Sequence, residues 1–151
     1  MNRGRRSTLA FAAVWLLACT AGLPPRIASC PNPTSGAGEV AGDFTRRYSY
    51  EVTGQGAAAT LEVVVENRDG RLTLVAFNEF GVKAFSAVRD DAGLSVQLHL
   101  GPLVVVPPGN ILGDLQRIAF LEGVPIGNVV EIDQRVCGYQ SRVELLSDRS
   151  G

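Results

Sequence analysis

Arg71–Leu100, RLTLVAFNEFGVKAFSAVRDDAGLSVQLHL, decides the fold. Apolar and polar residues alternate through most of it. The alternation breaks at Asn78-Glu79-Phe80-Gly81 and at Asp90-Asp91-Ala92-Gly93, the residue types that turn a chain. A period of two between turn signals predicts short antiparallel strands over Arg71–Phe77, Val82–Val88 and Leu94–Leu100. The pattern extends upstream. Tyr48, Tyr50 and Val52 alternate with Arg47, Ser49 and Glu51; Gly54-Gln55-Gly56 turns the chain; Leu61, Val63 and Val65 alternate with Glu62 and Glu66 before Asn67-Arg68-Asp69-Gly70. The result is a five-strand meander. Val64, Val75, Phe77 and Phe85 fall opposite the cleanest apolar stripes, which predicts partial cover on the second face.

Downstream the period changes. After Pro107-Pro108, the stretch Asn110–Gly123 places Ile111, Leu112, Leu115, Ile118 and Ala119 at helical spacing and ends on a glycine. Asp114 and Arg117 read as an exposed i,i+3 pair on this helix, and Asp90 and Asp91 as turn residues. Two further strands, Val129–Arg135 and Tyr139–Leu145, close the chain. The fold class is therefore mainly β (α+β): an open antiparallel half barrel of about seven strands, with one helix lying over the concave face, spanning residues 43–151. If helix and sheet do not fill the space between them, an apolar cavity remains, with Leu72, Leu74, Val82, Ala84, Leu112, Leu115 and Ile118 as walls.

The N-terminus has a different grammar. Arg3, Arg5 and Arg6 precede the uncharged run Leu9–Ala18, the layout of an export signal over residues 1–18. As a helix this run reaches only about 15 Å, half a hydrocarbon core, which is too short for an anchor. Leu16-Leu17-Ala18-Cys19 resembles a bacterial lipobox, which implies cleavage before Cys19 and acylation of its thiol; an ordinary signal peptide cut elsewhere fits the same basic-apolar layout. Residues 19–42, rich in Pro, Gly, Ala and Ser, read as a lipidated tether. With Cys19 lipidated, Cys30 and Cys137 remain as an even pair in an oxidising compartment, either bridged or as two free thiols.

The segment LTLVAFNEFGVKAFSAVRDDAGLSVQL, followed by NILGDLQRIAFLEG, resembles the middle of LolB, the outer-membrane lipoprotein that accepts lipoproteins from the carrier LolA. It is more similar still to a family of uncharacterised bacterial lipoproteins. The resemblance covers roughly Tyr48–Leu121 and implies a LolA/LolB-like open barrel with a helical lid over an acyl-chain cavity. It also implies that Phe80, in the turn matching LolB's apolar hairpin tip, protrudes toward a membrane or partner; the alternative is a Phe80 folded back onto the sheet. Glu79 stands where LolB has proline, and no helical period precedes the first strand. These departures favour a relative that binds another amphiphile over LolB proper.

Balanced charge, 14 Lys+Arg against 15 Asp+Glu, gives no electrostatic footprint for nucleic acid. One His and no repeated Cys/His spacing predict no metal site; no other cofactor motif is present either. His99, on the more polar face of its strand, lacks the company a catalytic triad needs, so no enzyme is expected. The expected function is an outer-membrane-anchored, periplasm-facing lipoprotein that binds or hands on an acyl-chain-bearing ligand, a lipid or a lipoprotein. The alternative is a non-catalytic scaffold of the cell envelope with a solid core and a protein partner.

Overall fold

The computed structural model describes residues 22–31 and 42–150. Seven antiparallel strands form one open sheet: β1 (Phe44–Gly54), β2 (Ala57–Arg68), β3 (Arg71–Asn78), β4 (Lys83–Asp90), β5 (Gly93–Leu98), β6 (Val129–Gln134) and β7 (Tyr139–Ser150). Their spatial order is β5-β4-β3-β2-β1-β7-β6, so the first five strands are the meander that the alternation predicts, and the last two add to its β1 side. The fold class expected from sequence is the one observed. Alternation decides which face is buried: Tyr48, Tyr50 and Val52 of β1, Leu61, Val63 and Val65 of β2, and Tyr139, Val143 and Leu145 of β7 all lie in the core.

One face assignment changes. Ala76 pairs with Phe85 but Phe77 pairs with Lys83, so Ala84 is an extra residue in β4. This bulge turns Phe85, expected on the outer face, into the core, where it is fully buried. The carbonyl of Ala84 accepts the N–H groups of both His99 (2.8 Å) and Leu100 (3.1 Å), which leads the chain out of β5.

A covering layer lies on the core face. Helix α1 (Pro108–Arg117) starts with a proline at its first position, where no N–H is needed, and buries Ile111, Leu112 and Leu115. It stops six residues before the glycine expected to end it. Ala119, Phe120 and Leu121 instead take left-handed φ angles of 46°, 53° and 56°, a conformation costly for L-residues with side chains. The turn is held from the sheet: the Tyr48 hydroxyl (2.7 Å) and the Arg46 guanidinium (3.4 Å) both donate to the Phe120 carbonyl. The Phe120 ring packs 5.6 Å from that of Phe44, and Arg46 lies over Phe44 while pairing with Asp148 at 3.0 Å.

The described part of the segment expected to be a tether is packed on the domain. Ile27 and Cys30 are buried. The Ile27 N–H donates to the Val105 carbonyl (2.9 Å), the Cys30 N–H to Asn110 Oδ1 (2.8 Å), and Asn110 Nδ2 returns a bond to the Ala28 carbonyl (2.9 Å). Cys30 and Cys137 form a disulfide across 107 residues of sequence. Closing a loop of that length stabilises the fold by about 4–5 kcal/mol in the chain-entropy account. Gly54, beside this bridge, admits no side chain, since a Cβ there would lie 2.4 Å from the Gly138 carbonyl.

Candidate functional site

Two arrangements on the core face of the sheet carry chemistry: a buried carboxylate clamp and an open apolar groove.

The clamp centres on Asp114, which is fully buried. The helical reading places it on the solvent side beside Arg117, yet Asp114 follows Ile111 by three residues and precedes Leu115, so it lies on the apolar stripe. Four donors from three strands meet it. Tyr50 OH and Ser141 Oγ donate to Oδ2, each at 2.7 Å; Gln134 Nε2 and Tyr139 OH donate to Oδ1 at 2.8 and 3.1 Å. Burial, then the Asp114 charge and its hydrogen bonds, push the hydroxyls of Tyr50 and Tyr139 far above the ordinary phenol range. Burial also raises Tyr48, against the opposing influence of Arg46. A carboxylate with its acceptor positions filled fixes α1 to β1, β6 and β7 and leaves no free donor for a substrate.

The groove lies at the other side of the covering layer, beside the strap Leu100–Val106 rather than beneath α1. It encloses about 530 Å³ and is lined by apolar groups of β1, β2, β4 and the strap, among them Val52, Leu61, Leu100 and Leu103. Of the seven expected wall residues it gathers Val82 and Ala84. Leu72, Leu74, Leu112 and Leu115 are buried in the core, and Ile118 is half-buried against it; they fill the space between helix and sheet. The strap carries no period of two or of 3.6, only the apolar run Leu103–Val106 before two prolines, so nothing in the sequence marks it as a groove wall.

Phe80 stands on the groove rim and is 80% exposed. Its turn is stapled: Asn78 Oδ1 accepts the N–H groups of Phe80 (3.1 Å) and Val82 (2.9 Å), and the Asn78 carbonyl accepts that of Gly81 (2.9 Å). Gly81 has a φ of 73°, a conformation a glycine takes without strain. The ring is thus held outward by a rigid turn. Cys30 and Cys137 are the bridged pair described above, whereas Cys19, expected to bear lipid, lies outside the described residues. His99 Nε2 lies 3.4 Å from Ser86 Oγ, a loose contact between surface groups. Among the described residues no cluster of three His, Cys, Asp or Glu side chains is placed to hold a metal ion, and no helix is long and apolar enough to cross a membrane.

Fold and site together define a mainly β protein in which an open antiparallel sheet, a single covering helix and a disulfide-pinned N-terminal segment frame an apolar groove. Residues 46–140 match the family described as "Protein of unknown function (DUF3261)". The chain belongs to that family, and the match takes in the Phe80 turn, the strap and the clamp apart from Ser141. No curated protein matches the chain.

Proposed function

We propose that the protein is a lipoprotein of the bacterial outer membrane, anchored through Cys19, that binds an acyl chain in the groove between strap and sheet. The observation that carries this reading is the groove itself: about 530 Å³, mostly apolar in lining, within the size range of small-molecule sites. Each methylene taken from water into such a lining contributes about 0.8 kcal/mol, so a single fatty chain gains enough to bind without any charged partner. The resemblance of the meander and helix to LolB supports the same ligand class, and Phe80 at the rim suits contact with the membrane or carrier that supplies it.

Ala59 lines the groove and is half-buried. Ala59→Trp is expected to fill the opening and abolish fatty-acid uptake, read by native mass spectrometry of delipidated protein, with little change in the urea midpoint. Equal uptake by wild type and variant, or none by either, overturns the reading. A scaffold role is favoured by a separate observation: Leu94, Val96 and Leu98 of the edge strand β5 are 45%, 42% and 51% exposed, and that strand carries no charge to deter a partner.

A further inference from the structure

The two ends of the sheet differ in kind. One end collects the β1–β2 turn, the Phe80 turn, the strap and the residues before β7. Its exposed apolar groups include Leu23 (76%), Phe80 (80%), Val82 (47%), Leu103 (64%) and Val136 (98%). The opposite end holds the β2–β3 and β4–β5 turns and both outer termini of β1 and β7; its exposed residues include Asp43, Arg68, Asp69, Asp90, Asp91 and Arg149.

The chain that precedes the described residues leaves from the apolar end. Arg26 donates to the Pro102 carbonyl, next to Leu103, and Ile27 bonds Val105. The disulfide of Cys30 to Cys137 fixes the segment a few residues further on. Arg26 lies seven residues after Cys19 in the chain, a span of at most about 25 Å when fully extended. The 11 residues of β1 run about 36 Å from one end of the sheet to the other. A lipid on Cys19 therefore reaches the bilayer on the apolar side and cannot reach past the charged one.

We propose that the protein sits end-on to its membrane, with Phe80, Leu103 and Val136 in contact with the lipid surface, the groove mouth facing the bilayer, and the Asp69 and Asp91 turns pointing away. The inference rests on the Cys19 anchorage proposed above. The charged groups at the docking end are Arg26, Lys83 and Arg135 with Glu79 and Asp133, and the long basic side chains suit the headgroup layer. The covering surface is the lipid bilayer itself, because a lipid on Cys19 holds this end within about 25 Å of the membrane and its most exposed side chains are apolar.

The test uses the mature, lipidated full chain in vesicles of phosphatidylethanolamine and phosphatidylglycerol. With Cys19 acylated and Cys30 bridged to Cys137, one introduced cysteine takes an environment-sensitive fluorophore at Leu103→Cys, Phe80→Cys, Asp69→Cys or Ala92→Cys. All four positions are exposed, and circular dichroism confirms that each variant is folded. The expected result is a blue shift and strong quenching by brominated lipid at the first two positions, with neither at the last two. Uniform water exposure at all four, or quenching at Asp69 and Ala92, overturns the posture. A mature mass lacking acyl groups overturns posture and anchorage together. Fatty-acid uptake is read separately on the same preparation, so an empty groove with the quenching pattern intact defeats only the ligand reading.

Discussion

The two halves of the layer over the sheet are held by opposite means. Under α1 the contact is buried and specific: one carboxylate takes four hydrogen bonds from β1, β6 and β7. Under the strap, beyond the bond from the Leu100 N–H to the Ala84 carbonyl, the contact is apolar and incomplete, and the groove is what remains. Directional bonds admit one placement of the helix, while apolar packing alone tolerates an opening that a ligand can fill. A protein that needs a stable body and an accommodating slot gains from separating them in this way.

That contrast breaks first in alkali. All three tyrosines of the chain, Tyr48, Tyr50 and Tyr139, are buried on the clamp side. Their pKa values lie above the ordinary 10.0, with burial as the first cause. A raised phenol leaves stability intact below pH 10, where folded and unfolded chains are both protonated; above it the unfolded chain loses protons that the folded chain keeps, so stability falls as pH rises. The expected outcome is no phenolate absorbance until the fold is lost, then all three rings ionising in one cooperative step that coincides with the loss of circular dichroism. A gradual titration of any tyrosine near pH 10 with the sheet intact contradicts the clamp.

The next largest effect is on the carboxylate. Asp114→Ala strands two phenols, a hydroxyl and an amide in the core, and is expected to cost about 3–5 kcal/mol by urea denaturation. Leu103→Ser, at the exposed strap, is expected to stay within about 0.5 kcal/mol. Comparable losses at the two sites erase the distinction between a clamped half and a loose one.

The strands were legible because alternation carries burial directly, as in Tyr48-Ser49-Tyr50-Glu51-Val52. The clamp was legible in part: Asp114 sits on the stripe of Ile111, Leu115 and Ile118, a signal outweighed by the habit of placing Asp and Arg at i,i+3 on solvent. Nothing in the text marked the bulge at Ala84, since an extra residue in a strand changes phase without changing composition. Ala84 lines the groove, and its carbonyl accepts the N–H groups of His99 and Leu100 where the strap begins. Pairing of Cys30 with Cys137 was open by parity, and geometry closed it with a Cα separation of 5.5 Å.

The smallest effect sharpens the boundary between the halves. The helix ends at Arg117 although Ile118, Ala119 and Leu121 are apolar and no proline intervenes, because Tyr48 and Arg46 draw the Phe120 carbonyl toward β1. Phe120 and Leu121 answer the cost of their left-handed angles with buried side chains, whereas Ala119 is exposed and gains nothing from its methyl group. Ala119→Gly removes the clash of Cβ with the backbone at a φ of 46° while adding freedom to the unfolded chain. The net expectation is a gain of about 0.5–1 kcal/mol in the urea midpoint analysis, with the slope unchanged. A loss of similar size instead indicates that residues 118–121 relax into a continued helix in solution, which withdraws the Phe120 carbonyl from Tyr48 and leaves the clamp to hold α1 on β1.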